Sequence, residues 1–106
     1  MAKYNVHYSP SALRDLDTIW AYITYDLENP VAANNTVSRL LDAADSLNNN
    51  ANRGKQLFLS DGYYTGYRWI LNGNHFVFYH VQEHDVYIVR VLYSQSDYMS
   101  ILFPEA

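Results

Sequence analysis

The sequence predicts an α+β domain: an N-terminal strand, then a two-helix hairpin packed on one face of a twisted antiparallel β-sheet, in the order β-α-α-β-β-β with a short C-terminal helical segment. Three observations predict it. Apolar residues recur at three- and four-residue steps in the first half and at alternate positions in the second. Ser9-Pro10 and Asn29-Pro30 are helix-start signals in the first half. Asn72-Gly73-Asn74 and Gln82-Glu83-His84-Asp85 are polar turns that divide the second half into strands.

Residues 4–8, Tyr-Asn-Val-His-Tyr, alternate and read as a short strand. Ser9 can cap a helix whose first turn holds Pro10. Leu13, Leu16, Ile19, Trp20, Ile23 and Leu27 then mark one apolar face of a helix from about Pro10 to Leu27. Asn29-Pro30 breaks that helix and begins the next, because the residue before a proline is pushed out of helical conformation. Val37, Leu40, Leu41, Ala44 and Leu47 form the buried stripe of the second helix, which Asn48-Asn49-Asn50 and Gly54 end. Leu57-Phe58-Leu59 suits either a short strand or a packed loop. Strands follow at Tyr64–Leu71, His75–Val81 and Val86–Tyr93, the last being the most strand-like segment of the chain. Ser94 or Ser96 can cap a final helical turn over Asp97–Leu102.

The bulk properties bound the function. The chain has 106 residues, which suits a single domain over residues 1–106. It is 49% hydrophobic and contains 11 Tyr, too apolar for disorder and suited to strands and interfaces. Seven Lys and Arg stand against 11 Asp and Glu, and neither half is basic. Tight nucleic-acid binding draws on several Lys/Arg–phosphate contacts, and no basic run supplies them. A protein partner is therefore expected in preference to a nucleic acid. Cysteine is absent, and the four histidines lack the pattern of a metal site, so neither metal nor cofactor is expected. No apolar run approaches the roughly 20 residues a membrane span needs, and the first residues hold no signal-like apolar region, so a cytoplasmic location is expected.

Alternation assigns the strand faces. Val77, Tyr79 and Val81 form one set and Phe76, Phe78 and His80 the other. In the last strand Arg90 shares a face with Ile88 and Leu92, so that set is placed outward and Val89 and Val91 inward. Phe76, Phe78, His80 and Arg90, with Arg68, then lie on a face left open by the helices, an aromatic recognition surface around two arginines. The competing account covers this face with the C-terminal segment and ties Arg68 and Arg90 into structural ion pairs. No spacing among His7, His75, His80 and His84 singles out an acid–base pair. No glycine-rich phosphate loop is present.

Tyr8-Ser9-Pro10-Ser11-Ala12-Leu13-Arg14-Asp15-Leu16 with Ile19 and Tyr22-Ile23, then Gly66-Tyr67-Arg68, His75-Phe76-Val77-Phe78-Tyr79-His80-Val81 and Val86-Tyr87-Ile88-Val89-Arg90-Val91-Leu92-Tyr93 followed by Asp97, resemble the RelE/ParE toxin superfamily over nearly the whole chain. The resemblance implies the toxin half of a type II toxin–antitoxin system, neutralised by a cognate antitoxin. RelE-like members cut mRNA on the ribosome; ParE-like members inhibit DNA gyrase. The chain departs from the nuclease pattern. Phe76 stands where RelE-like nucleases usually carry Arg. Tyr67-Arg68-Trp69-Ile70-Leu71 lacks the usual lysines, and Tyr93-Ser94-Gln95-Ser96-Asp97 lacks a usual His and Arg. Those cations would steady a phosphorane-like transition state, so a ParE-like protein binder is favoured. Its contacts with a protein target such as gyrase would come from Arg68, Phe76, Phe78, His80, Arg90, Tyr93 and Tyr98. The alternative is a metal-independent endoribonuclease with the ribosome as partner. There Arg68 and Arg90 would steady charge, and His75, His80 or Tyr98 would move protons. A third reading is a degenerate member that keeps only antitoxin binding. A homodimer is compatible with each.

Overall fold

Ser9 starts the first helix as its sequence requires: its Oγ accepts the Ala12 N–H at 3.0 Å and Pro10 occupies the first turn. In the computed structural model, which describes residues 3–105, β1 (Asn5–Tyr8) leads into α1 (Pro10–Ala21). The expected continuation to Leu27 is not regular α-helix. Over Tyr22–Asp26 the coil widens to a π turn, and the Leu27 N–H reaches back five residues to the Tyr22 carbonyl at 3.1 Å. Asn29 caps α2 (Pro30–Asp45) through its Oδ1 and the Ala32 N–H. A 3-10 turn at Ser46–Asn48 ends it.

Four strands follow: β2 (Lys55–Phe58), β3 (Tyr64–Asn72), β4 (His75–Gln82) and β5 (Asp85–Tyr93), then α3 (Tyr98–Leu102). Leu57 and Phe58 thus lie in a strand, and Leu59 lies just past its end. Gly73, at φ +60°, makes the β3–β4 turn affordable. The residue before α3 is Asp97, with no side-chain cap; Ser96 instead donates to the Tyr93 carbonyl at 2.6 Å.

The five strands form one sheet in the order β1-β5-β4-β3-β2. β2 to β5 pair antiparallel, as expected, while β1 runs parallel to β5 with Asn5 opposite Asp85 and Tyr8 opposite Ile88. A parallel pair cannot be joined by a tight turn, and the intervening helices and strands supply the crossover.

The helices cover one face. Ala12, Leu16, Leu40, Ala44 and Leu47 pack on Ile70, Val77, Tyr79, Val86, Ile88 and Val91. Each large side chain so buried contributes about 1.5–3 kcal/mol. The second face has its own smaller core: Leu57, Phe78 and Leu92 beneath Tyr98, Met99, Leu102 and Phe103. The face expected to be open is therefore covered in part by the C-terminal segment.

A β-bulge corrects the assignment of β5. Val77 lies opposite Val91, Phe78 opposite Arg90, and Tyr79 opposite Ile88, so Val89 is an extra residue. The inserted residue breaks the two-residue period. Ile88, placed outward by alternation, is fully buried on the helix side, and Val89, placed inward, packs against the second core with Leu92. Val91 is in the helix-side core, as expected.

Candidate functional site

Arg90 is held by α1. Its Nε donates to Asp15 Oδ2 at 2.7 Å and its Nη2 to Asp15 Oδ1 at 2.8 Å. The Val91 N–H donates to the same Oδ2 at 2.9 Å. The carboxylate raises the already high pKa of the guanidinium, first through the hydrogen bonds, against an opposing effect of burial. Arg68 is committed as well: Nη1 donates to the carbonyl oxygens of Gly54 at 2.8 Å and Asn52 at 3.3 Å. Placing Arg90 as a free cation on an open face is thus corrected. A bulge carries a backbone N–H and a guanidinium to one helix carboxylate.

The aromatic candidates separate. Phe78 is fully buried rather than exposed, with Tyr98 5.5 Å above it between ring centres. Phe76 is half-buried between Trp69, at 4.9 Å, and Tyr98, at 5.2 Å. These rings are a structural core under α3. Tyr93 does not join them. It is half-exposed at the end of β5, its ring 6.0 Å from that of His75.

His75 and His80 also lie apart. His75 begins β4 and lines a cleft of about 520 Å³ with Thr18, Ile19, Tyr22, Ile23, Leu27 and Tyr93. Burial there disfavours the charged ring and lowers its pKa below the ordinary 6.5. His80, five residues on, takes the opposite face by strand alternation. It stacks on Tyr87 at 5.1 Å and faces Tyr67 at 5.7 Å. Tyr87 stacks in turn on His7, and Tyr67 on Phe103, so five rings form a row across β1, β5, β4 and β3 to the segment after α3. Among the described residues no three His, Asp or Glu side chains gather as a metal site.

Sequence reasoning missed the cleft beside His75. Leu13 and Leu27, read as part of the buried stripe, are 50% and 55% exposed, and Tyr22 is 54% exposed. The available signal was the breadth of the α1 stripe, wider than a two-helix contact needs. The ring row was invisible without register, since His7 and Tyr87 are neighbours only across the parallel pair.

The geometry has solved counterparts. A chain of a chromosomal ParDE TA system from P. aeruginosa superposes with a TM-score of 0.74, at 18% identity over 90% of this chain and 100% of its own. A chain of the RelBE2 toxin–antitoxin complex from Mycobacterium tuberculosis gives 0.63, at 24% identity over 88% and 93%. The YoeB dimer from Staphylococcus aureus gives 0.54, at 22% identity over 87% and 98%. At these identities the likeness is one of fold. No curated protein matches the sequence. No helix among the described residues is long and apolar enough to cross a membrane. A family model described as the ParE toxin of the type II toxin–antitoxin system parDE matches residues 6–98, and the chain belongs to that family.

Proposed function

We propose that this toxin arrests growth in the cytoplasm by binding an essential protein such as DNA gyrase, without cutting RNA, and that a cognate antitoxin neutralises it. The observation that carries the reading is how the polar groups are spent. Cleaving RNA needs an acid, a base and a cation within about 3 Å of the reacting phosphate. Here Arg68 holds Asn52 and Gly54, Arg90 holds Asp15, and His75 and His80 take opposite faces. Beside His75, Tyr22, Leu27 and Tyr93 leave an exposed apolar patch. Such patches suit a protein partner. The test is gyrase supercoiling with purified toxin. Loss of supercoiling is expected, and full activity at saturating toxin overturns the reading.

One observation favours the rival endonuclease. The row His7–Tyr87–His80–Tyr67 is a stacking platform of the kind that receives unpaired bases. Toeprinting of ribosome-bound mRNA after induction separates the two: new cleavage ends establish the rival, and their absence removes it. Harmless overexpression without any antitoxin points instead to a member that retains antitoxin binding alone.

A further inference from the structure

Arg39 stands apart from the other arginines. Arg14 donates to Ser11, Arg53 to Ala43 and Ser46, Arg68 to Asn52 and Gly54, and Arg90 to Asp15. The ion pairs among the described residues are His7–Asp85 and Arg90–Asp15, and Arg39 belongs to neither. Asp42, one turn along α2, makes no ion pair with it. In a chain of net charge −4, this exposed guanidinium has no carboxylate of its own among the described residues.

Arg39 lines a small polar cavity. Thr36 and Arg39 of α2 form one wall and Asn72, Gly73 and Asn74 of the β3–β4 turn the other, around about 180 Å³. The Thr36 hydroxyl and the two Asn amides add hydrogen-bond donors to those of the guanidinium. Ile23, Asn74 and His75 line both this cavity and the apolar cleft of about 520 Å³ between α1 and the end of β5. A polar and an apolar space thus adjoin at the start of β4. Among the described residues no Asp or Glu lines either one, and Arg39 is the only Arg or Lys that does. Small-ligand sites have this build: an apolar cavity of about 300–1,000 Å³ with a few convergent polar groups.

We propose that the two cavities form one binding site for a small carboxylic acid with an apolar aryl or alkyl body. The body fills the cleft over Ile19, Ile23 and Leu27, and the carboxylate reaches Arg39 past Asn74. Charge selects an anion, because the one fixed charge on the walls is positive. A guanidinium presents paired N–H donors that match the two oxygens of a carboxylate. One positive charge balances a monoanion, whereas the second charge of a phosphate monoester would stay unpaired as it leaves water. At about 180 Å³ the polar cavity has room for a head group and not for a chain segment, which separates this occupant from a protein partner. The apolar cleft overlaps the target surface proposed above, but the site does not rest on that reading.

Phenylbutyrate tests the site, with phenylbutyramide as its uncharged counterpart. Each is titrated into the isotope-labelled full chain at neutral pH. The acid is expected to bind in the millimolar range or tighter. It should shift the methyl resonances of Ile23 and Leu27 together with the amides of Gly73 and Asn74. The amide should bind about tenfold more weakly, the gap between a charge-assisted and a neutral hydrogen bond. Arg39 is exposed, so Arg39→Gln should keep the parent's fold and bring the acid down to the affinity of the amide. Leu27→Ser should weaken both probes alike. Absence of shifts at these residues with the acid overturns the proposal. So does equal binding of acid and amide, or a preference for the acid that survives Arg39→Gln. Inorganic phosphate that shifts Gly73 and Asn74 as strongly as the acid does, at equal concentration, also overturns it, since the head alone would then be recognised. Binding is read on the free chain. A protein that takes up phenylbutyrate yet leaves gyrase active keeps this site and loses the proposed target, and one that inhibits gyrase without taking it up does the reverse.

Discussion

Asp15 on α1 and Arg90 in β5 fasten the helical layer to the sheet beside the β5 bulge. Two residues past the extra residue Val89, the Val91 N–H donates to the Asp15 carboxylate, which also takes two donors of Arg90. One helix carboxylate thus takes three donors from β5 next to the bulge. Breaking a buried ion pair costs about 3–5 kcal/mol, and an exposed one under about 1. The two side chains here are 28% and 12% exposed, which places Asp15→Ala at a loss of about 2 kcal/mol. Arg90→Lys keeps the charge but loses the planar fork, and should cost about 1 kcal/mol. Urea unfolding followed by tryptophan fluorescence measures both. An Asp15→Ala variant as stable as the parent would show that the pair is ornamental.

Tyr79 and Gly54 make a second tie, between β4 and the loop leading into β2. The Tyr79 hydroxyl donates to the Ala51 carbonyl at 2.8 Å and accepts the Gly54 N–H at 2.9 Å, all buried. Tyr79→Phe leaves a donor and an acceptor without partners, a loss of about 1–3 kcal/mol. Gly54 is required by close approach: an added Cβ would lie 2.8 Å from Tyr79 Cε1 and 2.9 Å from the Trp69 carbonyl oxygen. Gly54→Ala is therefore expected to cost about 1–3 kcal/mol through overpacking. Thermal and urea midpoints of the two variants check this.

Much of the fold was legible because local chemistry and periodicity agreed. Ser9-Pro10, Asn29-Pro30 and Gly73 each act as their residue types require. The inward set Val77 and Tyr79 followed from alternation alone. The site was less legible for three physical reasons. A bulge shifts parity without changing composition, so Ile88 and Val89 were exchanged. A five-residue α3 buries Phe78 through contacts between distant parts of the chain that no period encodes. And an apolar stripe does not say which of its residues a partner helix reaches, so Leu13 and Leu27 read as core while they stand in solvent.

His75 should give stability a defined pH dependence. Burial lowers its folded pKa below the ordinary 6.5, so the unfolded chain binds a proton more readily than the native one. Stability from this group is fully present above the unfolded pKa. It declines as pH falls through that value and levels off below the folded pKa. His75→Gln removes this component. Urea unfolding of parent and variant between about pH 5 and about pH 7.5 should show the parent losing more stability on the acid side. Parallel curves would mean that the imidazole titrates alike in both states.

The cleft beside His75 allows function to be separated from folding. Leu27 and Tyr22 are more than half exposed, so Leu27→Ser and Tyr22→Ser should alter stability by no more than about 0.5 kcal/mol. They nonetheless remove the apolar anchors on which the proposed target contact depends, and a few such anchors usually carry most of an interface's energy. Each variant should therefore keep the parent's unfolding midpoint while losing growth inhibition and gyrase inhibition together, by about tenfold or more in the concentration needed. Induction in bacteria and supercoiling titrations give the two readouts. If both variants arrest growth as the parent does, the target grips another face. If both also cease to cut ribosome-bound mRNA that the parent cuts, the cleft serves the endonuclease reading instead.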